Sequence, residues 1–245
     1  MMNKIIWFRY DLRIYENSAF TEAIKNGNVL PIFIFDKELF KLETSSSFHL
    51  RFIKDSLNDL KEKLKKKYDS NLSIYYGNTK EILKYLIRKY SVSEIYSNVI
   101  FKHKYLMDLD KNCENLFNDL KVKWLQTNQF GIDLNHRKRF KWAYNWNEFI
   151  QSDEKSFKFN CKFININNNF DFKDVKTNKI NAKLIQRGGR DKAIKLLDSF
   201  IETRSENYQR EMSSPVSGEI ACSRLSPHIT YGTCLLYTSD AADDA

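Results

Sequence analysis

The stretch CSRLSPHITYG, residues 222–232, contains the side chains best suited to holding an anion. Ser226 followed by Pro227 predicts a helix start, with the serine as N-cap and the proline in the first turn. Ser223 and the free backbone N–H groups of that turn could bind a phosphate, and Tyr208 could add a hydroxyl. The residues alone favour a plainer interpretation, an ordinary capped helix.

A second candidate site lies in the segment WFRYDLRIYENSAF, where three charged residues follow a predicted strand: Arg9, Asp11 and Arg13. Ligands of doubly wound proteins bind at the carboxyl ends of the strands, so the arginines could face an anion. The alternative is an ion pair between Asp11 and an arginine that fixes the first strand–helix loop, with Asn17 as N-cap of the helix. The chemistry favours this structural alternative.

Several common signatures are absent from the sequence. It has no Gly-x-Gly-x-x-Gly after the first predicted strand and no Gly-Lys-Ser loop, which counts against an NAD enzyme and a P-loop NTPase. The four histidines and four cysteines have no metal-ligand spacing, which counts against a metal site. The thiols are expected to be free, in a reducing compartment.

Two further segments each have a functional and a structural interpretation. HRKRFKW (136–142) interleaves basic and aromatic residues as nucleic-acid surfaces do, and a solvated linker face fits it equally well. Gly188-Gly189 precedes a predicted helix and could approach a phosphate, but a loop that needs unusual backbone angles is the simpler interpretation.

The composition predicts a globular protein. Of the 245 residues 42% are hydrophobic, which is enough for a core, and the net charge of +9 modestly favours nucleic acid as a partner. The N-terminus lacks the features of a signal peptide, and no apolar run is long enough to span a membrane. We expect a cytoplasmic, monomeric protein without membrane contact.

Short apolar runs alternate with helical patterns over the first 126 residues. Leucines and isoleucines at spacings of three and four predict a helix around Leu50–Leu64, and Thr79 is placed to cap another that runs to Tyr90. This alternation predicts an α/β fold with a doubly wound, parallel, five-stranded sheet. The predicted strands are KIIWFR (4–9), VLPIFIF (29–35), LSIYY (72–76), EIYSN (94–98) and VKWLQ (122–126).

Beyond these strands the pattern changes, and an α/β domain at 1–130 is expected to be followed by a linker at 131–187. The Asn-rich stretch FININNNFDF (163–172) contains little that predicts a regular element. Helical periodicity returns after Gly188.

Two motifs, in the right order, resemble the cryptochrome/photolyase family. WFRYDLRIYENSAF looks like the opening Trp-Phe-Arg-x-Asp-Leu-Arg-x-x-x-Asn signature of that family. The run from GGRDKAIKLLDSF to CSRLSPHITYG resembles the start of its flavin-binding domain, which implies that residues 188–233 begin an all-α FAD-binding domain.

The resemblance implies a light-driven DNA photolyase, in which reduced FAD passes an electron to a pyrimidine dimer in damaged DNA and takes it back after the dimer splits. The alternatives are a cryptochrome-type blue-light photoreceptor without repair activity and a stand-alone, non-catalytic α/β module. The positions that match flavin-contacting residues are Tyr208, Cys222, Ser223, Arg224, Leu225 and Ser226.

Two departures from the family pattern carry further expectations. Relatives place an Asn, a Glu and an Arg-Asp pair around an antenna pigment, whereas this chain keeps Asn98 but has Ile100 and Leu109-Asp110, so no folate antenna is expected and the pigment is left open. After TYGT the family continues for nearly as much protein again. We expect 234–245 to be a foreign tail on a truncated chain that retains little FAD and is itself inactive.

Overall fold

The regular elements are six β-strands and nine α-helices within the described residues. A computed structural model describes residues 2–100, 103–129, 142–151, 159–166, 168, 170–177 and 186–235. The strands are β1 (Asn3–Phe8), β2 (Gly27–Asp36), β3 (Ser73–Gly77), β4 (Val92–Asn98), β5 (Lys123–Thr127) and β6 (Cys161–Phe163). The helices are α1 (Ser18–Ala23), α2 (Ser47–Tyr68), α3 (Thr79–Tyr90), α4 (Lys104–Asp119), α5 (Trp142–Gln151), α6 (Arg190–Glu202), α7 (Tyr208–Glu211), α8 (Gly218–Ala221) and α9 (Ser226–Thr230).

The sheet is parallel and its main path has the order β3-β2-β1-β4-β5. β1 lies at the centre, where Ile5 is opposite Leu30 of β2 and Ile95 of β4. The strand order reverses at β1, which is the arrangement of a doubly wound sheet. The predicted fold class is confirmed, and each of the five predicted strands is present within two residues of its predicted bounds.

A short sixth strand was not predicted. β6 pairs in parallel with Gly27–Val29, at the beginning of β2, whereas β3 pairs with the later part, Ile32–Asp36. The Asn-rich segment that begins at Phe163 therefore starts inside a strand. Three residues are too few to produce a recognisable periodicity, which is why the sequence did not indicate this strand.

Helices pack on both faces of the sheet. Alternate residues of β1 point to opposite sides, so Ile6 and Phe8 enter a core beneath α1 and α2, while Ile5 and Trp7 enter a second core beneath α3 and α4. All four side chains are at most 3% exposed. Burial on both faces explains why the strands read as continuous apolar runs.

The start of α3 differs from the prediction by one residue. Asn78 is the N-cap, and its side-chain oxygen accepts the N–H of Glu81 at 3.2 Å. Thr79, predicted as the cap, is instead the first helical residue, and its hydroxyl donates to the carboxylate of Asp36 at 2.6 Å. Both residue types cap helices well, so local sequence could not separate them.

Helices α6 to α9 form a helical unit that docks on α2 through the Gly188-Gly189 turn. The N–H of Gly189 donates to the Ser56 hydroxyl at 3.0 Å, and the N–H of Arg190 donates to the Asp59 carboxylate at 3.0 Å. Gly189 has φ +104°, so the expected unusual backbone angle is confirmed. A Cβ on Gly188 would overlap the carbonyl oxygen of Phe52.

A third, smaller core fills the interior of this unit. Ala193 and Leu197 of α6 pack with Leu225 and Cys234. Cys234 is 1% exposed, and so is Leu235. The first two residues of the expected foreign tail are thus buried, while residues 236–245 lie outside the described residues.

Replacing Gly188 by alanine should weaken the docking of α6. The added methyl group must displace the turn from α2, and overpacking of this kind costs about 1–3 kcal/mol of unfolding free energy. Urea denaturation of Gly188→Ala measures it. Lys192→Ala, on the exposed side of α6, is the matched control and should change stability by less than about 0.5 kcal/mol. Equal stabilities of the two variants would contradict the docking geometry.

Candidate functional site

A cavity of about 240 Å³ lies at the carboxyl ends of β1 and β2. In doubly wound sheets this is the edge at which ligands bind. The lining residues belong to the ends of both strands, the starts of α3 and α4, α2 with the segment before it, and the end of α9. They are Trp7, Arg9, Tyr10, Phe33, Ile34, Asp36, Leu39, Phe40, Thr44, Ser45, His49, Ile53, Thr79, His103, Leu106, Leu109, Thr230 and Tyr231.

Arg9 provides a buried cation at the cavity wall. Its guanidinium lies 4.4 Å from the centroid of the Trp7 ring. It also forms a bidentate ion pair with Asp110 of α4, and one of the two hydrogen bonds measures 3.2 Å. Arg9 is only 7% exposed. The predicted ion pair of Asp11 with an arginine is therefore not made by Arg9, because its guanidinium turns towards α4.

Asp36 holds together the rim of the cavity. Its carboxylate accepts hydroxyl groups of Tyr105 and Thr79, each at 2.6 Å, and the backbone N–H groups of Glu38, Leu39 and Thr79 at 3.0–3.2 Å. Burial, together with the bond to Asp36, raises the pKa of Tyr105 above its usual value. These donors come from the segment after β2, the start of α3 and the start of α4, so the carboxylate fixes these three segments relative to one another.

The loop after β1 is organised around the Asp11 carboxylate. Asp11 is 1% exposed and accepts the N–H of Arg9 at 2.6 Å, the Asn98 amide at 2.6 Å and the Asn17 amide at 3.3 Å. Asn17 also accepts the N–H of Phe20 at 3.1 Å, so its predicted role as N-cap of α1 is confirmed. The Asp11 carboxylate is therefore stabilised by backbone and side-chain amide groups, where an ion pair with an arginine was expected.

Arg13 joins three parts of the fold. It is 1% exposed, and its guanidinium donates to the Gln129 side chain at 3.2 Å, to the Gly232 carbonyl at 2.8 Å and to the Glu16 carbonyl at 2.7 Å. These bonds connect the residues after β5, the end of the helical unit and the loop that contains Arg13. The side chain therefore fixes the loop after β1, as the structural interpretation expected, and the bonds that do so are to carbonyl and amide oxygens.

The segment after α9 closes the cavity on one side. The ring of Tyr231 stacks on Tyr10 with a centroid distance of 5.5 Å, and its carbonyl accepts the N–H of Leu12 at 3.1 Å. Gly232 follows with φ +63°, pressed against the backbone of Tyr10. The helical unit therefore supplies part of the wall of a cavity in the α/β unit.

The predicted phosphate-binding turn has a different cap from the one expected. α9 begins at Ser226, and Leu225 occupies the N-cap position without a side-chain cap, so the predicted capping role of Ser226 is wrong. Leu225 has φ −83° and ψ −13°, so the chain enters the helical conformation one residue earlier than predicted. Pro227 lies in the first turn, as expected.

The six residues predicted to contact flavin fall in two places. Cys222 to Ser226 form one turn, in which Leu225 is buried, Ser226 is exposed and Arg224 has φ +63°. Tyr208 begins α7 and rests edge-on against Phe200. None of the six lines the cavity at the strand ends, so the two candidate regions are separate.

Arg204 organises the Cys222–Ser226 turn. Its guanidinium donates to the carbonyl groups of Cys222 and of Ser223, the latter at 3.4 Å, and to that of Leu196 at 2.6 Å. Sequence analysis did not single out this arginine. It also donates to the Ser199 hydroxyl, at 3.0 Å and 3.2 Å. Its bonds to the turn are to backbone carbonyls, which any residues supply, so no sequence pattern identifies it.

Several other sequence expectations are limited by what the structure describes. HRKRFKW, apart from Trp142 at the start of α5, lies outside the described residues. Within the described ranges, histidine, cysteine and acidic side chains form no group able to hold a metal ion. No helix in the described part of the chain has the length and apolar character needed to cross a membrane.

Comparisons with known proteins agree on one family. A family model described as DNA photolyase matches residues 4–131, just over half of the chain. A tomato (Solanum lycopersicum) protein named cryptochrome DASH, chloroplastic/mitochondrial, is 31% identical over an alignment 101 residues long that covers 38% of this chain and 17% of that protein. The chain aligns with 17–19% of the length of the first curated relatives it matches.

Solved structures share the fold over nearly the whole chain. A bacterial class III photolyase from Agrobacterium tumefaciens superposes with a TM-score of 0.75 at 20% identity, covering 99% of this chain and 53% of that one. An archaeal photolyase from Sulfolobus tokodaii, whose structure holds two FAD molecules, gives a TM-score of 0.72 at 20% identity over 100% of this chain and 55% of that one.

Removing the Asn98 amide should destabilise the loop after β1. Asn98→Ala takes one amide donor from the buried Asp11 carboxylate and one acceptor from the Thr127 hydroxyl, a loss of about 1–3 kcal/mol of unfolding free energy. Chemical denaturation measures it. Asn118→Ala, on the exposed surface of α4, serves as control and should be close to neutral. A neutral Asn98→Ala would show that Asp11 does not need this donor.

His228 should make stability depend on pH. Its side chain is fully buried against Phe52 with Nδ1 2.8 Å from the Thr233 hydroxyl, and burial lowers the pKa of His228 to about 4. In the unfolded chain the pKa of this histidine is about 6.5, so the unfolded state binds the proton more readily. The unfolding free energy therefore falls as the pH drops from about 6.5 to 4, by up to about 3 kcal/mol.

Denaturation at a series of pH values tests this linkage. His228→Gln cannot titrate and should lose most of the pH dependence in that window. His103→Gln, at the N-cap of α4, is the histidine control and should keep it. An unchanged pH profile in His228→Gln would overturn the assignment to His228.

Proposed function

The chain belongs to the DNA photolyase family, and on that premise we propose that it acts in a light-driven, FAD-dependent photolyase that repairs pyrimidine dimers in damaged DNA. The observation that carries the proposal is the family match across β1 to β5, continued by a common fold over α6 to α9. Residues 1–130 then form the α/β domain together with β6, which the connection at 131–187 adds to the sheet. Residues 188 onwards are part of the FAD-binding domain, which extends at least to Leu235 because that residue is buried.

The Cys222–Ser226 turn has donors that suit the phosphates of FAD. The hydroxyl groups of Ser223 and Ser226 and the N–H groups in the first turn of α9 are the kind of donor set that binds phosphate. Arg204 donates to the Cys222 and Ser223 carbonyls, so these two oxygens of the turn are already paired with a cation. When bound, FAD supplies the light absorption and the electron, while these residues bind and orient it.

The cavity at the strand ends suits a second, planar aromatic cofactor. Apolar and aromatic walls with a few polar groups are typical of such sites, and here Trp7, Tyr10 and Tyr231 are aromatic while Arg9 and His49 are polar. The archaeal neighbour is described as containing two FAD molecules, with the implication of a novel light-harvesting cofactor. A light-absorbing heteroaromatic compound is therefore our proposed occupant, and the expectation of no folate antenna stays a prediction.

A blue-light photoreceptor without repair activity is the second candidate. The observation that favours it is the naming of the curated relatives, since the tomato protein and several others that match are cryptochromes. Both candidates use FAD and light, so only the fate of damaged DNA distinguishes them.

Chromophore extraction and a repair assay test the proposal. The 245-residue protein is purified in dim light, its released chromophores are identified, and the reduced protein is incubated with ultraviolet-damaged oligothymidylate in blue light and in darkness. Light-dependent loss of dimers supports the photolyase. Photoreduction of bound flavin without dimer loss contradicts repair and supports the photoreceptor. Bound FAD that light does not photoreduce and that drives no loss of dimers contradicts both.

Serine variants test the proposed phosphate contacts. The double variant Ser223→Ala/Ser226→Ala should weaken FAD binding at least tenfold, since hydrogen bonds to charged groups contribute about 1.5–3 kcal/mol each. Ser205→Ala is the control, because its hydroxyl bonds to Ile201 within the helical segment. Equal FAD affinity in all three proteins would contradict the contacts.

A further inference from the structure

Two residues of the helical unit line the cavity of the α/β unit. Thr230 and Tyr231 are at the end of α9, and the other lining residues lie between Trp7 and Leu109 in the sequence. Tyr231 is 8% exposed. If the segment from α9 to Gly232 moved away, this side of the cavity would open to solvent.

The seating of that segment depends on a small number of specific contacts. The N–H of Leu12 donates to the Tyr231 carbonyl at 3.1 Å, and the Arg13 guanidinium donates to the Gly232 carbonyl at 2.8 Å. The Tyr231 ring lies between Tyr10, with centroids 5.5 Å apart, and Phe52, with centroids 5.4 Å apart.

Gly232 is the residue that permits this close approach. Its φ of +63° is a conformation that residues with a Cβ rarely adopt. A Cβ at this position would overlap the Tyr10 carbonyl oxygen and lie 2.6 Å from the Cα of Asp11. Any other residue would hold the segment away from the loop after β1.

The same side chains face the cavity and the seated segment. Tyr10 lines the cavity and stacks on Tyr231, and Arg9, adjacent to it, lines the cavity beside Trp7. A ligand in the cavity would therefore gain contacts with Tyr231 only when the segment is seated. A ligand that binds one of two states more tightly shifts the equilibrium towards that state, and the effect is reciprocal.

We propose that cavity occupancy and the seating of the α9–Gly232 segment are thermodynamically coupled, with Gly232 as a positioning residue for the cavity. The inference rests on the proposed aromatic cofactor of the cavity. It connects the two candidate regions, because the seated helix α9 also begins with the turn proposed to bind the FAD phosphates. A cofactor in the cavity thereby favours the arrangement in which that turn is docked on the α/β unit.

Riboflavin is a suitable probe because it is planar, aromatic and lacks phosphate. Its binding is followed by fluorescence in the wild type, in Gly232→Ala and in Gly27→Ala. The control glycine, Gly27, also has positive φ, at +80°, and a Cβ there would lie 2.8 Å from the Met2 carbonyl, far from the cavity. Thr44→Trp, at the exposed rim, blocks the cavity and shows where riboflavin binds.

Hydrogen exchange of the Leu12 N–H reports the seating without any substitution. We expect riboflavin to slow this exchange in the wild type and Gly232→Ala to bind riboflavin at least tenfold more weakly, with Gly27→Ala close to the wild type. Unchanged exchange at Leu12 under saturating riboflavin, or equal affinity in Gly232→Ala, would overturn the coupling. Absence of riboflavin binding to the wild type, or binding that Thr44→Trp does not affect, would instead refute the proposed aromatic occupant and the coupling with it.

Discussion

The buried carboxylate of Asp11 is the constraint on which the rest of the site depends. A charge at 1% exposure must be satisfied by donors inside the protein, and here backbone and amide N–H groups provide them. Satisfying it fixes the end of β1 relative to the end of β4 and to the N-cap of α1. Arg9 is thereby directed towards the cavity. In the same loop the N–H of Leu12 donates to the Tyr231 carbonyl, and the Arg13 guanidinium donates to the Gly232 carbonyl.

The sheet could be predicted from the sequence because each strand is buried on both faces and therefore reads as a continuous apolar run. Charged contacts could not be predicted in the same way. Asp110, which pairs with Arg9, lies in the first half of α4, 101 residues further along the chain, and nothing near Arg9 distinguishes it from other acidic residues. The choice between Asn78 and Thr79 as a cap failed for a related reason, since Asp36 on a neighbouring strand captured the Thr79 hydroxyl.

The two candidate regions differ in how visible they are in the sequence. The turn at Ser226-Pro227 is a local pattern, so its position was found, although Leu225 took the cap. The cavity is assembled from six separate parts of the chain, and no local pattern predicts such a convergence. Gly232 is the cavity-related residue for which the sequence gives an indication. It directly follows an aromatic residue at the end of a predicted helix, a place where a glycine in a left-handed turn is common.

The sixth strand has a consequence for the order in which the protein assembles. β6 joins the sheet next to the beginning of β2, although it is synthesised only after β5 and α5. β2, β3 and β5 each follow a parallel neighbour after one helix, and β4 returns to β1 after three helices. All five strands can therefore pair before β6 is made, but the first residues of β2 must wait with one side unpaired. The nascent chain therefore presents an open edge at Gly27–Val29 until Cys161–Phe163, about two thirds of the way along the sequence, has been translated.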